Sequence, residues 1–480
     1  MLVTGRTRFV LLGFAVAASL ATPVSSGADP AERTSGIADQ RGVSLTIYNA
    51  SIALVHDRRH VSLQKDENRI AWRDVSANMD ATSAILEDVT TPGAVRVLEQ
   101  NFNFDLLKPQ ALLDKYVGRE VTVVHDRAVP GRPLRETAKL LADNEGVVLQ
   151  YPNRVETSVD GHLEFPDIPP DLRDRPTLVL DLQSDAAADA DLDLSYLTGG
   201  LGWHAEYVGV VAPDESHMDL SGLVTLSNTS GTTYSDAHLQ LVAGNVNVAQ
   251  PLPQTMRVFG AVAARAPQPQ FTQENFFEYH LYTLGRTTTI ANNQTKQVAL
   301  LNARNVPVHK TLELRGSESY YYTQNDDLGT KLKVGVYETF TNKGGDLGIP
   351  LPGGIVRLYK NDKAGTSQFL GSDRIDHTPR NEDIRLHLGD SFDVTANKKQ
   401  TDFKLPENCT YQSSYEIVVK NAKTDPAQVL VVEPIPGDWT IARENLPHQK
   451  TSSSTASWTL TVPPGGRTTL DYTALVKICI

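Results

Sequence analysis

Residues 43–75 read VSLTIYNASIALVHDRRHVSLQKDENRIAWRDV and alternate apolar with polar side chains over most of their length. Such alternation, with many β-branched residues, is typical of strands that bury one face. The predicted strands are Val43–Tyr48, Ile52–Val55, Val61–Leu63 and Arg69–Val75. Turns at Asn49-Ala50 and Lys65–Asn68 separate strands of this set. The stretch therefore predicts β-sheet.

The same pattern continues toward the C-terminus, whereas helical periodicity is scarce. Further predicted strands are Thr177–Leu182, Asp191–Leu197, Glu206–Val211, Leu220–Ser227, His238–Val242, Leu312–Arg315, Lys331–Thr341, Gly354–Lys360, Gln368–Ile375, Ile384–Leu388, Phe392–Thr395, Tyr415–Asn421, Gln428–Pro434, Trp458–Val462 and Thr468–Val476. A short helix is predicted over Pro109–Tyr116, because proline suits a first helical turn and Leu112 and Leu113 face a core. The expected fold class is all-β.

Five short predicted strands crowd into residues 117–165, where glycine, aspartate and asparagine separate them. A sheet of this size would expose both edges, and closure into a barrel removes them. We therefore predict a small β-barrel at residues 111–175. We expect it to be inserted into a composite β-sandwich region formed by residues 43–110 and 176–315.

The length of the chain, 480 residues, predicts several domains, because single hydrophobic cores stop growing at about 250 residues. We expect a β-sheet domain at residues 316–400. Hairpins of suitable length predict an immunoglobulin-like β-sandwich at residues 401–480. Residues 251–274 interrupt the strand pattern with prolines and glutamines, which predicts a long loop.

Residues 1–28 have the features of a secretory signal peptide. Arg6 and Arg8 precede an apolar run from Phe9 to Ala21, and small residues lead to Ala28, the expected cleavage site. The apolar run is short for a bilayer span, so we expect no transmembrane anchor after cleavage, with a retained anchor helix as the alternative. The mature protein is then expected in the periplasm or outside the cell.

The charge balance argues against nucleic acid as a partner. The formal net charge is −12. Binding to phosphate backbones needs clustered Lys and Arg, and the clusters here, such as Arg58-Arg59 and Lys398-Lys399, are short.

Cys409 and Cys479 are the two cysteines of the chain. In an oxidising compartment an isolated pair is most simply a disulfide, and two separate thiols are the alternative. Neither cysteine has the basic surroundings that a catalytic thiolate needs.

Motifs for familiar catalytic chemistry, such as GxSxG, HExxH and GxxxxGK[ST], do not occur. The densest polar segment runs from Asp373 to Pro379 and beyond. A histidine flanked by carboxylates suits acid-base chemistry, which makes Asp376, His377, Glu382 and Asp390 a candidate polar cluster. Asp, Thr and Pro also build turns, so structural turns, a ligand site and catalysis are the three interpretations. We predict no cofactor.

Two further segments have two interpretations each. One contains a tryptophan and the other contains several aspartates. Residues 199–202, GGLG, predict a bend between strands, and Trp203 after it is either a core anchor or a ring that stacks on carbohydrate. Residues 189–193 imitate the opening of a calcium loop but lack its central glycine and its bidentate glutamate. A solvated strand face explains these aspartates more simply.

His56 and His60 could point the same way, as metal ligands must, but no third ligand lies nearby in the sequence. We interpret the pair as surface side chains beside Arg58 and Arg59. No metal site is predicted.

Several segments also resemble a known family. They are LTIYN from Leu45, EQNFNFDLL from Glu99, LLDKYVGREV from Leu112, YLTGGLGWHAEY from Tyr196, VTLSNTSGTTYSDAHLQLVAGNVN from Val224, FFEYHLYTLGR from Phe276, NNQTKQV from Asn292, LGIPLPGGIVRLYK from Leu347 and FLGSDRIDHTPRNEDI from Phe369. In these the chain resembles exported bacterial proteins that carry a C-terminal domain of unknown function and are distantly related to the mucoidy-inhibitor-A-like proteins. Leu223 and Ser372 depart from the pattern, since relatives often have Trp and an acid there.

The resemblance implies an export signal, a β-rich architecture and no established activity, and it supplies no catalytic residues. We expect an envelope-associated binding or assembly module without catalysis, whose partner is an envelope protein or a glycan. Function on a sandwich usually lies in loops, so Trp203, Pro350 and Pro352 are candidate surface-recognition residues. The alternative is a periplasmic hydrolase or carbohydrate-active enzyme that uses Asp376, His377 and Glu382.

Overall fold

The structure is a computed structural model that describes residues 30–125, 134–144, 146–169, 171–244, 246, 270–325 and 328–479. The predicted signal peptide at residues 1–28 lies outside the described residues, as does most of the loop predicted at residues 251–274. The end of that predicted loop, from Phe271, already belongs to a strand.

The described chain is almost entirely β-sheet, so the predicted all-β, multi-sheet and sandwich-like fold is confirmed. The strands of the N-terminal half are β1 Glu32–Ser35, β2 Gln40–Tyr48, β3 Ile52–Leu63, β4 Asp66–Arg73, β5 Ile85–Asp88, β6 Val95–Asn103, β7 Glu120–His125, β8 Leu134–Ala142, β9 Val148–Gln150, β10 Val155–Glu156, β11 Gly161–Glu164, β12 Thr177–Ser184, β13 Ala188–Gly199, β14 Leu201–Val211, β15 His217–Asn228 and β16 Tyr234–Ala243. Those of the C-terminal half are β17 Phe271–Phe276, β18 Tyr279–Leu284, β19 Thr288–Ile290, β20 Gln294–Pro307, β21 His309–Arg315, β22 Leu332–Thr341, β23 Gly354–Asn361, β24 Ser367–Ile375, β25 Asp383–Glu407, β26 Thr410–Asn421, β27 Ala427–Pro434, β28 Asp438–Glu444, β29 Gln449–Ser452, β30 Thr455–Val462 and β31 Arg467–Lys477.

Helices are few in the described residues. The α-helix α1 spans Pro109–Tyr116, which confirms the predicted helix, and Pro109 occupies its first turn. Short 3₁₀ helices span Ile37–Asp39, Ala81–Ser83 and Glu318–Tyr321. None of the described helices has both the length and the apolar character needed to cross a membrane.

The strands form five sheets. Sheet 1 is β1-β4-β12-β6, the insert sheet is β10-β9-β8-β7-β11, sheet 2 is β17-β18-β16-β2-β3-β13-β5 with β19 beside β16, sheet 3 is β20-β15-β14-β23-β24, and sheet 4 is β28-β31-β26-β25-β22-β21-β27-β30-β29. Most neighbours are antiparallel, but β1 with β4, β2 with β16, β14 with β23 and β21 with β27 are parallel. The last three of these pairs join strands that are far apart in sequence.

Two large hydrophobic cores hold the sheets together. The first core packs sheets 1, 2 and 3 on one another, with fully buried side chains such as Trp72, Leu192 and Tyr207. The second core lies within sheet 4 and contains Trp458 and Tyr472. Strands β22 and β25 contribute to both cores, so the predicted domain boundary at residue 400 falls inside one continuous strand, β25.

The bend predicted at residues 199–202 joins β13 to β14. Gly200 has a φ of 80°, and a side chain there would approach the backbone of Ser230 to 2.9 Å. Only glycine suits such a position, because L-residues with a side chain avoid this region of φ and have no room here. The chain thus passes from β13 in sheet 2 to β14 in sheet 3 without a loop.

The strands predicted between residues 117 and 165 are all present, but the predicted barrel is wrong. They form an open sheet in which β10 and β11 are the edges, and no pairing between these two edges occurs in the described residues. Helix α1 packs on one face of this sheet, where Tyr116 and Leu140 belong to a small third core. The helix covers one face of the sheet, whereas closure was expected to remove its edges.

The adjacent residues Arg58 and Arg59 have different surroundings, since Arg58 is exposed. Arg59 is fully buried and donates to the Asp57 carboxylate from Nη2 over 2.6 Å. Trp72 donates its indole N–H to the same carboxylate over 2.8 Å, and the guanidinium lies 4.7 Å from the Trp72 ring centre. Paired in this way, a charged side chain can lie in an apolar core.

Candidate functional site

Two members of the predicted polar cluster, Asp376 and His377, lie on the turn between β24 and β25. The side chain of His377 is exposed, and its Nδ1 accepts a hydrogen bond from the backbone N–H of Gly353 over 3.1 Å. Partial burial lowers the pKa of His377, while the charge of Asp376 acts in the opposite direction. Thr378 donates from Oγ1 to the carbonyl of Asp376 over 2.8 Å. These are bonds that hold a turn in shape.

The other two members of the cluster lie apart from His377. Glu382 has an exposed side chain, and its carbonyl accepts from the N–H of Asn342 over 2.8 Å. Asp390 lies further along β25 and forms an ion pair with Lys333 at 2.9 Å. Across the described ranges, no hydrogen bond or ion pair joins His377 to either carboxylate. The structure therefore does not gather these residues around one point.

The three candidate surface-recognition residues are buried. Trp203 is 5% exposed and packs edge-on against Tyr282 at 6.4 Å. Pro350 and Pro352 are buried as well, and their carbonyls accept from the hydroxyls of Tyr282 and Tyr207 over 2.9 and 2.8 Å. The loop that contains both prolines is thus fixed to the first core.

The histidines and aspartates of the β3–β13 pair contact each other across the two strands. His60 faces Asp191 at 2.8 Å, and His56 faces Asp193 at 3.2 Å. Within the described residues, no group of three or more His, Cys, Asp or Glu is gathered as metal ligands would be.

An apolar groove of about 600 Å³ lies on the insert, beside helix α1. Its apolar lining residues are Leu107, Pro109, Leu112, Leu113, Val159, Leu163, Phe165 and Ile168. Phe165 packs edge-on against Tyr116 at 5.0 Å, which anchors one wall to the small core. Ile168 remains 59% exposed and Leu107 38% exposed, so the groove presents apolar side chains to solvent.

The edge strand β11 forms one side of this groove. On its inner side β11 pairs with β7, and Gly161 makes that approach possible, because a Cβ there would lie 1.9 Å from the carbonyl oxygen of Val124. On its outer side no strand pairs with β11 in the described part of the chain. Unpaired backbone groups beside an apolar groove suit an extended peptide.

A second, more polar cavity of about 260 Å³ lies where sheets 3 and 4 meet. Glu338 on β22 lines it and is only 3% exposed. Sequence reasoning missed the groove, and it named one lining residue of the cavity, Asp390, without predicting a cavity. Apolar residues around Pro109 could have indicated the groove. Glu338 lies in an ordinary strand pattern, and its sequence neighbours do not indicate a cavity.

These features define an all-β protein with an apolar groove and a polar cavity, and with no catalytic constellation among the described residues. A family model described as a domain of unknown function (DUF4139) matches residues 192–478. The match covers more than half of the chain, so the protein belongs to this family. No curated protein matches it.

Proposed function

We propose that the protein is an exported, non-catalytic binding module of the cell envelope that captures an extended apolar segment of another protein in the groove of its insert. The observation that carries the proposal is the apolar groove beside the unpaired edge strand β11. Main-chain bonds to a strand edge give affinity, and apolar side chains in the groove add specificity.

Export is supported by the signal-like pattern of residues 1–28 and by the disulfide between Cys409 and Cys479. Disulfides persist in oxidising compartments such as the bacterial periplasm. The similarity to the mucoidy-inhibitor-A-like proteins is part of the same proposal. The hydrolase alternative, which uses Asp376, His377 and Glu382, has no supporting contact and stays a prediction.

The test is a selection of random displayed peptides on the full chain, followed by affinity measurements with the enriched sequences. We expect enriched peptides to alternate apolar and polar residues, as an added strand requires. Ile168→Glu should weaken their binding by about tenfold or more, because the peptide would bury a charge without a partner.

The matched control is Leu405→Glu, since Leu405 is 61% exposed and Ile168 is 59% exposed. Leu405 lies on β25, outside the groove, so this variant should bind peptides as the wild type does. Equal weakening by both variants would contradict the proposal. So would a protein that enriches no peptide but binds members of a glycan array.

A further inference from the structure

The polar cavity between sheets 3 and 4 shares no lining residue with the groove of the insert. Six different parts of the chain bring charged side chains to it, among them β25 with Asp390 and the segment after β26 with Lys423. Lys310 on β21 stands directly opposite Glu338 on β22, Lys360 comes from the end of β23, and Glu215 from the turn between β14 and β15. These charged residues are far apart in the sequence, so no local sequence motif indicates the cavity.

Glu215 holds two of the cavity's ammonium groups. Its carboxylate pairs with Lys360 at 2.7 Å and with Lys310 through the other oxygen. Burial opposes the ionisation of Glu215, but the hydrogen bonds and charges of both lysines outweigh it and lower its pKa. Glu215 is therefore ionised and bonded to both lysines. Each ammonium group still has other N–H bonds that can donate to a ligand.

Glu338 is different, because its Oε1 is buried and has no hydrogen-bond partner in the described residues. Burial raises the pKa of Glu338 to about 7, although Lys310 and Lys360 act to lower it. At neutral pH a large share of this side chain is thus a neutral carboxylic acid, whose O–H can donate. A buried polar group without a partner costs stability, and a ligand would supply the partner.

The lining carries an excess of positive charge when Glu338 is neutral. Lys310, Lys360 and Lys423 face two carboxylates, those of Glu215 and Asp390. Asp390 is also paired with Lys333 outside the lining, and Lys423 has no ion-pair partner among the described residues. The remaining lining is mostly aliphatic, and includes Val336 and Leu388.

We propose that this cavity binds a small monocarboxylate with a short apolar body. Glu338, in its acid form, donates a hydrogen bond to one oxygen of the ligand carboxylate, and the lysines balance the ligand's charge. The aliphatic lining contacts the apolar part. Two carboxyl groups that share one proton in this way avoid the repulsion of two adjacent carboxylates.

The proton on Glu338 makes binding depend on pH. The complex keeps this proton, so ligand binding must take it up from solvent whenever Glu338 is ionised. Affinity is then constant between the pKa of the ligand carboxyl and a pH of about 7, and it falls by about tenfold for each pH unit above that. The other charged groups that face Glu338 in the cavity are those of Glu215, Lys310, Lys360, Asp390 and Lys423.

Isothermal titration calorimetry of the full chain with butyrate tests the proposal, with butyramide as the neutral isostere and phosphate as an anion without an apolar body. We expect butyrate to bind, butyramide and phosphate to bind at least about tenfold more weakly, and binding to take up protons above pH 7. Titrations in buffers of different ionisation enthalpy measure that uptake.

Two variants separate the role of Glu338 from a structural one. Glu338→Gln keeps an N–H donor and should bind butyrate with an affinity that no longer changes between pH 6 and pH 8. Glu338→Leu should fold, since it removes an unpaired buried group, and should lose binding by about tenfold or more. Glu416→Gln, on an exposed face of β26, is the control.

Wild-type protein with a native unfolding transition and no heat of butyrate binding would overturn the proposal. Equal affinity for butyrate and butyramide would overturn it too, as would unchanged binding by Glu338→Leu. Binding by Glu338→Gln that keeps the wild-type pH profile would show that another group takes up the proton.

Discussion

The ammonium group of Lys398 lies almost fully buried inside sheet 4, where it contacts both carboxylate oxygens of Glu433 at 2.7 Å. Tyr321 donates to the same carboxylate over 2.8 Å, and the rings of Tyr320 and Tyr415 lie 4.6 and 4.8 Å from the ammonium nitrogen. Burial lowers the pKa of Lys398, while Glu433 opposes that shift. The Lys398–Glu433 ion pair is tolerated in the core because each charge has an opposite charge beside it and is hydrogen-bonded.

Removal of one partner should therefore destabilise the fold strongly. We expect Lys398→Met or Glu433→Leu to lower the free energy of unfolding by about 3–5 kcal/mol, because an unpaired charge would remain in the core. The double variant should cost less than either single change. Urea unfolding at pH 7 measures all three.

The neighbouring lysine provides the control for this pair. Lys399 points to the opposite face of β25, as strand alternation requires, and pairs with Glu416 at 2.7 Å with 55% of its side chain exposed. Lys399→Met should change stability by less than about 1 kcal/mol. Equal losses at Lys398 and Lys399 would show that the buried network does not act as described.

At the scale of elements, the disulfide between Cys409 and Cys479 ties the turn after β25 to the chain just beyond β31. It closes a loop with a sequence separation of 70 residues. The predicted disulfide is thus confirmed. It fastens the C-terminal strand, whose Leu470 and Val476 lie in the second core.

Loss of this bond should destabilise sheet 4. In the chain-entropy model a loop of this length contributes about 4 kcal/mol, so Cys409→Ser with Cys479→Ser should lower the midpoint of urea unfolding clearly. Reduction of the wild type with dithiothreitol should produce the same shift. An unchanged midpoint in both experiments would mean that β31 is held by its strand pairing alone.

Local elements could be predicted from the sequence because their signals are local. Helix α1 begins at a proline, and the strands near Val121 and Leu140 follow alternating residues. Sheet partners could not be predicted, since β14 pairs with the distant β23 and Glu338 meets Glu215 only through tertiary packing. The composition of the polar segment around His377 indicated a candidate site. Its hydrogen bonds, however, are those of a turn.

At the scale of the whole molecule, the two chain segments that connect the insert to the first core lie side by side. Asn103 on β6 is the pairing partner of Thr177 on β12, and Leu106 forms a bridge with Arg173. The two backbone bonds of this bridge link Leu107 and Asp105 to Arg173 over 2.8 and 3.0 Å. The insert also has its own small core, so few of its contacts are shared with the rest of the chain.

Replacement of residues 108–172 by a short Gly-Ser linker should therefore leave both large cores intact, because the ends to be joined are already adjacent and a short loop costs little entropy. We expect a folded, monodisperse protein with a β-type circular-dichroism spectrum, no binding of groove peptides and unchanged binding of butyrate. Deletion of the β17–β18 hairpin, which supplies the buried Tyr282 to the first core, is the contrasting change and should prevent folding. Aggregation of the linker variant would contradict this expectation. It would mean that the insert covers apolar surface of sheet 1 and so supports the first core.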